Sequence, residues 1–93
     1  MGRLLRLEKQ YAQTYSALKL DRTEKSAVAA TTIRLENASS LPGAEDFEAL
    51  RWPVGVAWAR KVRGARLWVL YSFDEHSMTL EDIRRAKPVR VGG

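Results

Sequence analysis

Two groups of cations in the second half of the chain could carry chemistry. In the first group, Lys61, Arg63 and Arg66 lie close together and Trp68 follows them. Clustered cations repel one another until an anion binds among them, and an indole ring offers a surface on which a base can stack. The second group consists of Arg84, Arg85, Lys87 and Arg90. Together they predict a surface that binds nucleic-acid phosphate. The alternative is that these are solvated charges that protect a sheet edge from aggregation.

A predicted hairpin decides which side chains share a face. Gly64-Ala65 has the composition of a two-residue type II′ turn with glycine first. In that register Arg63 faces Arg66 directly, and Trp58 faces Tyr71. Like charges in a cross-strand pair destabilise a sheet by some tenths of a kcal/mol. The pairing of Arg63 with Arg66 therefore favours a functional role over a purely protective one.

The same register sorts the hairpin into two faces, because side chains alternate along a strand. The first face is apolar apart from Arg60, and we expect the helices to cover it. Its residues are Val56, Trp58, Val62, Leu67, Val69, Tyr71 and Phe73. The second face is expected to be uncovered and cationic. Its residues are Ala57, Ala59, Lys61, Arg63, Arg66, Trp68 and Leu70.

The first half of the chain predicts a short strand and two helices. The apolar run within Arg3–Leu7 indicates an edge strand, and helical spacing of apolar residues follows from Glu8 to Leu20. Asp21, with Glu24 three residues later, has the form of a helix N-cap. A second helix is therefore predicted from Arg22 to Asn37.

The middle of the chain predicts a break between the helical and the extended half. Asn37–Gly43 is a loop by composition, and Glu45–Leu50 could form one helical turn. Trp52-Pro53 should end that turn, and from Val54 the pattern alternates by two. A last strand is predicted over Met78–Ile83. The partner of Arg60 stays open between residues such as Glu36 and Asp82.

These elements predict one α+β domain over residues 1–93. A helical hairpin would pack on one face of a small, mainly antiparallel sheet, in the order β-α-α-β-β-β. Of the residues, 45% are hydrophobic and 29% are charged, which is typical of a folded domain.

Composition excludes several classes of protein. There is no cysteine and one histidine, so disulfides, thiolate metal sites and zinc sites built on several histidines are not expected. No apolar run approaches the roughly 20 residues that span a bilayer, and we expect a cytoplasmic protein. The net charge is +5, and the cations are mostly arginines, which suit phosphate. No phosphate loop or glycine-rich nucleotide motif occurs, so no cofactor is expected.

Some residues could be general acids or bases. His76 is the one histidine, the residue type most often used as a general acid or base, but it falls in a predicted exposed turn beside Asp74 and Glu75. The acidic residues Glu45, Asp46 and Glu48 resemble a carboxylate cluster, although a solvated turn is the simpler interpretation.

Taken in order, several segments resemble the RelE/ParE superfamily of toxins from bacterial type II toxin–antitoxin systems. The match covers nearly the whole chain. Its segments are the Leu4–Leu7 strand, the two-helix stretch ending near Asn37, the run Ala59–Asp74, and Thr79–Arg85. The resemblance rests on a strand with basic residues, a glycine turn, an arginine opening the next strand, a Val-Leu-Tyr run, and a last strand that ends in isoleucine before basic residues.

The resemblance implies a RelE-like fold and cleavage of mRNA in the ribosomal A site. By that likeness Arg66 and the basic group after the last strand, Arg85 or Lys87, would be catalytic. Cations of this kind would steady the scissile phosphate while the 2′-hydroxyl attacks it. The expected RNA-binding residues are Lys61, Arg63, Trp68, Arg84 and Arg90. The implied partners are a cognate antitoxin, the ribosome and mRNA, without metal or membrane.

Proton transfer is the gap in this likeness. RelE-type proteins often carry a tyrosine or histidine near the C-terminus, and no such residue follows His76 here. Two other functions therefore stay open. One is a ParE-like toxin that binds DNA gyrase, and the other is a basic domain that binds nucleic acid without chemistry.

Overall fold

The computed structural model describes residues 2–51 and 55–92, which form two helices and five strands. The elements are β1 (Leu4–Leu7), α1 (Lys9–Ala17), α2 (Arg22–Glu36), β2 (Phe47–Leu50), β3 (Val56–Lys61), β4 (Trp68–Phe73) and β5 (Ser77–Arg84). The predicted break at Trp52-Pro53, and Val54, lie outside the described residues. In residues 2–51 and 55–92, no helix is long and apolar enough to cross a membrane.

The five strands form one mixed sheet in the order β1-β5-β4-β3-β2. Strand β1 is parallel to β5, and the other three pairings are antiparallel. Both helices pack on the same side of the sheet. The predicted α+β class and the mainly antiparallel sheet are confirmed.

The helices begin where the sequence predicts and end slightly earlier. Asp21 accepts a hydrogen bond from the Glu24 amide, and the Glu24 carboxylate accepts one from the Asp21 amide, which completes the predicted capping box. Helix α1 stops at Ala17 rather than Leu20. Lys19 takes a left-handed backbone conformation with φ of 52°, which interrupts the helix and turns the chain into α2.

The β3–β4 register is confirmed, whereas the predicted turn is wrong. Trp58 pairs with Tyr71, as expected, and the ladder continues to Lys61 and Trp68. The turn then spans Val62–Ala65, whose ends are joined by a hydrogen bond from the Ala65 amide to the Val62 carbonyl. Gly64 occupies its third position with φ of 83°, the position at which a type II turn needs a positive φ.

This turn changes the position of the two arginines that were expected to face each other. Arg63 and Arg66 both lie in the loop between the strands, beyond the last ladder pair. The Val62 amide donates a hydrogen bond to the Leu67 carbonyl, which closes a loop over residues 63–66. This loop is longer than the predicted Gly64-Ala65 turn. Arg63 and Arg66 are therefore loop residues and do not form the expected cross-strand pair.

The main core lies between the helices and the predicted apolar face of the hairpin. Tyr71, Val69, Val62 and Leu67 are fully buried there, and β5 adds further apolar side chains. From the helical side come Tyr11, Leu20, Val28 and Leu35. The prediction that the helices cover this face is confirmed, with Trp58 and Phe73 partly buried at its margin.

Strand β2 replaces the helical turn predicted over Glu45–Leu50. Phe47 and Ala49 are buried, and they alternate with the exposed residues Glu48 and Leu50. A period of two indicates a strand, but four residues are too few for the pattern to stand out from the sequence. The sheet thus has one strand more than predicted.

The second face of the hairpin is partly covered, contrary to expectation. A small cluster of Phe47, Ala49, Ala57, Ala59 and Leu70 is buried on it. Residues 85–92, which we call the tail, run from β5 to the outer edge of β2. The Leu50 amide donates to the Val89 carbonyl, and the Val91 amide donates to the Glu48 carbonyl. Pro88 is buried as the tail passes.

A buried carboxylate holds the loop before β2 against the sheet. The Asp46 side chain, which is 0% exposed, accepts hydrogen bonds at 2.5 and 2.8 Å from Arg60, one at 2.7 Å from the Gly43 amide and one from the Tyr71 hydroxyl. Asp46 is thus the partner of Arg60, and the prediction of a solvated turn is wrong for it. Burial and the bond to Asp46 raise the pKa of Tyr71. A Cβ at Gly43 would collide with Arg60 Nη2, so a larger residue there would displace the guanidinium from Asp46.

We expect Asp46→Ala to destabilise the protein by about 3–5 kcal/mol, because the Arg60 guanidinium loses its buried carboxylate and keeps only the partly exposed Glu45. Equilibrium urea unfolding measures this change. Glu45→Ala is the matched control, since Glu45 also contacts Arg60 but is 44% exposed, and it should cost about 0–1 kcal/mol. Equal losses in the two variants would contradict the role assigned to Asp46.

Candidate nucleic-acid interface

Three predicted site residues form a row across neighbouring strands on the second face of the sheet. Trp68 on β4 pairs with Lys61 on β3 and with Arg84 on β5. Residues paired across antiparallel strands lie on the same face, with Cβ atoms about 4.5–5.5 Å apart. We call Lys61, Trp68 and Arg84 the cationic row.

The tail brings two further cations onto the same face. Lys87 Nζ lies 5.9 Å from the Trp68 ring centroid and 5.8 Å from that of Phe47. Arg90 Cζ lies 4.5 Å from the Phe47 centroid. A cation held over an aromatic face is attracted to the ring quadrupole, which keeps the flexible tail side chains in place.

Phe47 is a member of this face that the sequence did not reveal. Its ring meets Trp68 in an edge-on contact with centroids 5.6 Å apart, and two cations lie over it. It was missed because its segment was predicted to be helical. The alternation of Phe47 and Ala49 with polar residues was the available signal.

Lys61 and Arg66 differ in how far they are restrained. Lys61 Nζ donates to the carbonyls of Val62 and Ala65, so its ammonium is fixed beside the hairpin loop. Arg66 is exposed in that loop and forms no salt bridge within residues 2–51 and 55–92. An arginine of this kind is free to meet an incoming phosphate.

Two of the predicted site residues are engaged elsewhere. Arg63 Nη2 lies 3.3 Å from a Glu45 carboxylate oxygen, and both side chains are largely exposed. Arg85 Nη1 lies 2.6 Å from Glu24, which caps helix α2. The structure thus brings Lys61, Trp68, Arg84, Lys87 and Arg90 together, with Arg66 nearby in the loop, and directs Arg63 and Arg85 away from them.

Two buried acids lie next to the cationic row. A register shift between β4 and β5 pairs Leu70 with Asp82 and Tyr71 with Leu80, which leaves Glu81 as an extra residue in a β-bulge. Asp82 Oδ2 accepts from Arg84 Nε at 2.9 Å. These acids were not predicted as site residues, because a bulge cannot be seen in the sequence pattern.

A second arginine neutralises the other buried acid. Arg51 reaches Glu81 at 3.0 Å and also donates to Gln10 Oε1 at 3.3 Å. Gln10 Nε2 in turn donates to Asp82 at 3.2 Å. The acids are therefore paired rather than left as free negative charge beside the row.

The histidine and the two buried tyrosines lie away from this face. His76 is 91% exposed in the turn after β4, at the end of that strand opposite to Trp68, as the exposed-turn interpretation predicted. Tyr11 and Tyr71 are buried in the core on the helical side, where burial raises both pKa values, that of Tyr11 to about 12. The described part of the cationic face therefore has no tyrosine or histidine.

An apolar groove of about 460 Å³ opens on the helical side, between α1, α2 and β1. Its walls include Leu5, Leu7, Tyr11, Tyr15, Val28 and Ile33. Leu7 is 56% exposed and Ile33 is 57% exposed, which is unusual for large apolar side chains that share one surface. Lys25 lines the groove, and Lys19 lies at an adjoining cavity.

Within the described ranges, no group of three His, Cys, Asp or Glu residues is arranged to hold a metal ion. Comparison of the chain with protein-family models, with curated proteins and with solved structures found no match.

We expect the ion pair between Arg85 and Glu24 to make stability depend on acid pH. The hydrogen bond from Arg85 and that from the Asp21 amide lower the pKa of Glu24 from its usual 4.5. A lowered folded-state pKa stabilises the protein above pH 4.5, and this contribution is lost as the pH falls through the folded-state pKa. Arg85→Ala should therefore flatten the acid limb of a plot of unfolding free energy against pH.

Urea unfolding across the acid range measures that limb. Arg34→Ala removes the same charge from an exposed site on α2 and should keep the wild-type profile. Identical profiles for Arg85→Ala and wild type would show that the pair contributes nothing.

Proposed function

We propose that this protein is the toxin of a type II toxin–antitoxin system, and that it cleaves mRNA on the ribosome. The observation that carries the proposal is the cationic row, in which Lys61 and Arg84 flank Trp68 on one face of the sheet. Lys87 and Arg90 extend the charge over neighbouring rings. Such a face suits a phosphate backbone with a base stacked beside it.

The chemistry would be attack of a ribose 2′-hydroxyl on the adjacent phosphate. Negative charge grows on the phosphate oxygens during this attack, and fixed cations stabilise it without having to reorganise. Lys61 and Arg84 are held by hydrogen bonds, whereas Arg66 is exposed in the hairpin loop, where it would contact the phosphate. Arg66 and Lys87 are the catalytic cations in this proposal.

The order of elements supports a RelE-like assignment. The sequence resemblance implies a helical hairpin followed by an antiparallel sheet, and α1 and α2 pack on the sheet in that manner. Arg85, which the resemblance also implicates, is bonded to Glu24 at 2.6 Å. It would need to leave that partner before it could act on RNA.

A ParE-like toxin that binds DNA gyrase is the second candidate. It is favoured by the position of the groups that could transfer protons, since His76, Tyr11 and Tyr71 all lie away from the cationic face. A protein that inhibits by binding needs no general acid or base. The two candidates differ in whether messages are cut.

Induced expression followed by mapping of mRNA 5′ ends tests the first candidate. We expect new 5′ ends within codons of translated messages. Lys61→Ala and Arg66→Ala should each reduce cleavage by roughly tenfold or more, because a hydrogen bond to a charged group contributes about 1.5–3 kcal/mol.

Arg34→Ala is the charge-matched control, since it removes an exposed cation from α2. Growth arrest with intact messages, together with loss of gyrase supercoiling activity, would replace the first candidate with the second. Normal growth would refute both.

The apolar groove is the proposed docking site of the antitoxin. A groove lined by apolar side chains, with Lys25 on its wall and Lys19 close by, suits an amphipathic helix that carries acidic residues. Such a helix would cover the exposed side chains of Leu7 and Ile33. The occupant would be an acidic, partly disordered protein encoded beside the toxin.

Ile33→Glu should weaken binding of that neighbouring protein by at least about tenfold, since it places an unpaired carboxylate in the apolar contact. Isothermal calorimetry with the purified pair measures the change. Leu50→Glu is the control, because Leu50 is 49% exposed on β2, away from the groove. Equal effects of the two substitutions would place the antitoxin elsewhere.

A further inference from the structure

Asp82 is an unexpected residue to find beside a phosphate-binding face. It is 4% exposed and lies on the second face of β5, two residues before Arg84. A carboxylate in this position repels a nucleic-acid phosphate and also costs free energy to bury. A favourable interaction made by Asp82 must therefore offset this cost.

The hydrogen bonds of Asp82 indicate what that role is. Oδ2 accepts from Arg84 Nε at 2.9 Å and from Gln10 Nε2 at 3.2 Å, and Oδ1 accepts from the Ile83 amide at 2.9 Å. The carboxylate is thus held from three directions. It fixes the inner nitrogen of the Arg84 guanidinium in one orientation.

The outer end of Arg84 is left available by this arrangement. Among the described residues, Nε is the only atom of its guanidinium with a hydrogen-bond partner, and the side chain is 24% exposed. The two terminal amino groups form a planar fork that matches two oxygens of a phosphate. With Nε occupied by Asp82, that fork is the part of Arg84 that can reach a ligand beside Trp68.

We propose that Asp82 is a positioning residue that presents the terminal fork of Arg84 to an RNA phosphate next to Trp68. This inference rests on the proposed function, and specifies how one cation of that face is oriented. Gln10 supports the arrangement from α1, since it bonds to Asp82 and is itself held by Arg51. The bulge at Glu81 keeps Asp82 and Arg84 on the same face as Trp68.

The direction in which one substitution changes the affinity for RNA distinguishes an effect of Arg84 orientation from an effect of net charge. Asp82→Asn removes a negative charge from the face, so simple electrostatics predicts tighter binding of RNA. Loss of orientation predicts weaker binding instead. We expect roughly threefold to tenfold weaker binding, less than the loss of a whole charge-assisted hydrogen bond, because Arg84 keeps its fork but is no longer held in one orientation.

Fluorescence anisotropy with a labelled single-stranded RNA of mixed sequence, at constant low salt, measures the change. Glu75→Gln is the charge-matched control, since Glu75 is 92% exposed in the turn at the other end of β5. It should leave binding unchanged or slightly tighter. Tighter binding by Asp82→Asn than by wild type would overturn the proposal.

Arg84→Lys keeps the test decisive if Asp82→Asn does not fold. Lysine retains the charge and loses the planar fork. We expect it to weaken RNA binding by a similar factor, whereas unchanged affinity would overturn the proposal.

A measurement without RNA distinguishes failure of this inference from failure of the proposed function. If the wild-type protein binds no RNA, the proposed function fails, and the Arg84 side chain can still be observed by nitrogen-15 NMR. A slowly exchanging Nε–H that is lost in Asp82→Asn supports the positioning role. Rapid exchange in the wild-type protein overturns it.

Discussion

The pairing of β3 with β4 is the constraint from which the rest of the structure follows. A shift of one residue would move every side chain of a strand to the opposite face. The register that pairs Trp58 with Tyr71 places the apolar side chains under the helices and sends Lys61 and Trp68 to the other side. Gly64 makes this register possible, because its φ of 83° allows the tight turn that starts the loop.

The sequence predicts the structure correctly where local residue preferences and the overall fold favour the same conformation. The capping box at Asp21 and the two-helix order could be predicted from spacing, and the β3–β4 register could be predicted by centring the chain reversal on Gly64-Ala65. The hairpin turn could not, because Gly64 can serve at more than one turn position. The side chains of β3 and β4 determine how these strands pair, and the turn adopts the backbone geometry that joins them.

The features that were missed depend on contacts between residues far apart in the chain. Asp46 looks like a loop carboxylate until Arg60 and Tyr71 are brought to it across the sheet. Phe47 is placed opposite Trp68 by the pairing of β2 with β3, which a four-residue pattern does not predict. Of the candidate site, the shared face of Lys61 and Trp68 was predictable from the register, whereas Arg84 lies beyond the predicted last strand and was not placed in the row. The destinations of Arg63 and Arg85 were not predictable, since their acidic partners come from other elements.

The cations of the second face are held with different strength, and this shapes what the face can do. Arg84 lies on a central strand and is fixed by a buried carboxylate, so its position depends on the whole fold. Lys87 and Arg90 belong to the tail, which is bound to β2 by two backbone hydrogen bonds and by contacts with aromatic rings. Segments with few buried contacts open at a lower free energy than the core does. In the proposed function, a phosphate beside Trp68 would meet a firmly held guanidinium on the β5 side and a less firmly held pair of tail cations on the β2 side, which would let one face accept a backbone whose geometry varies.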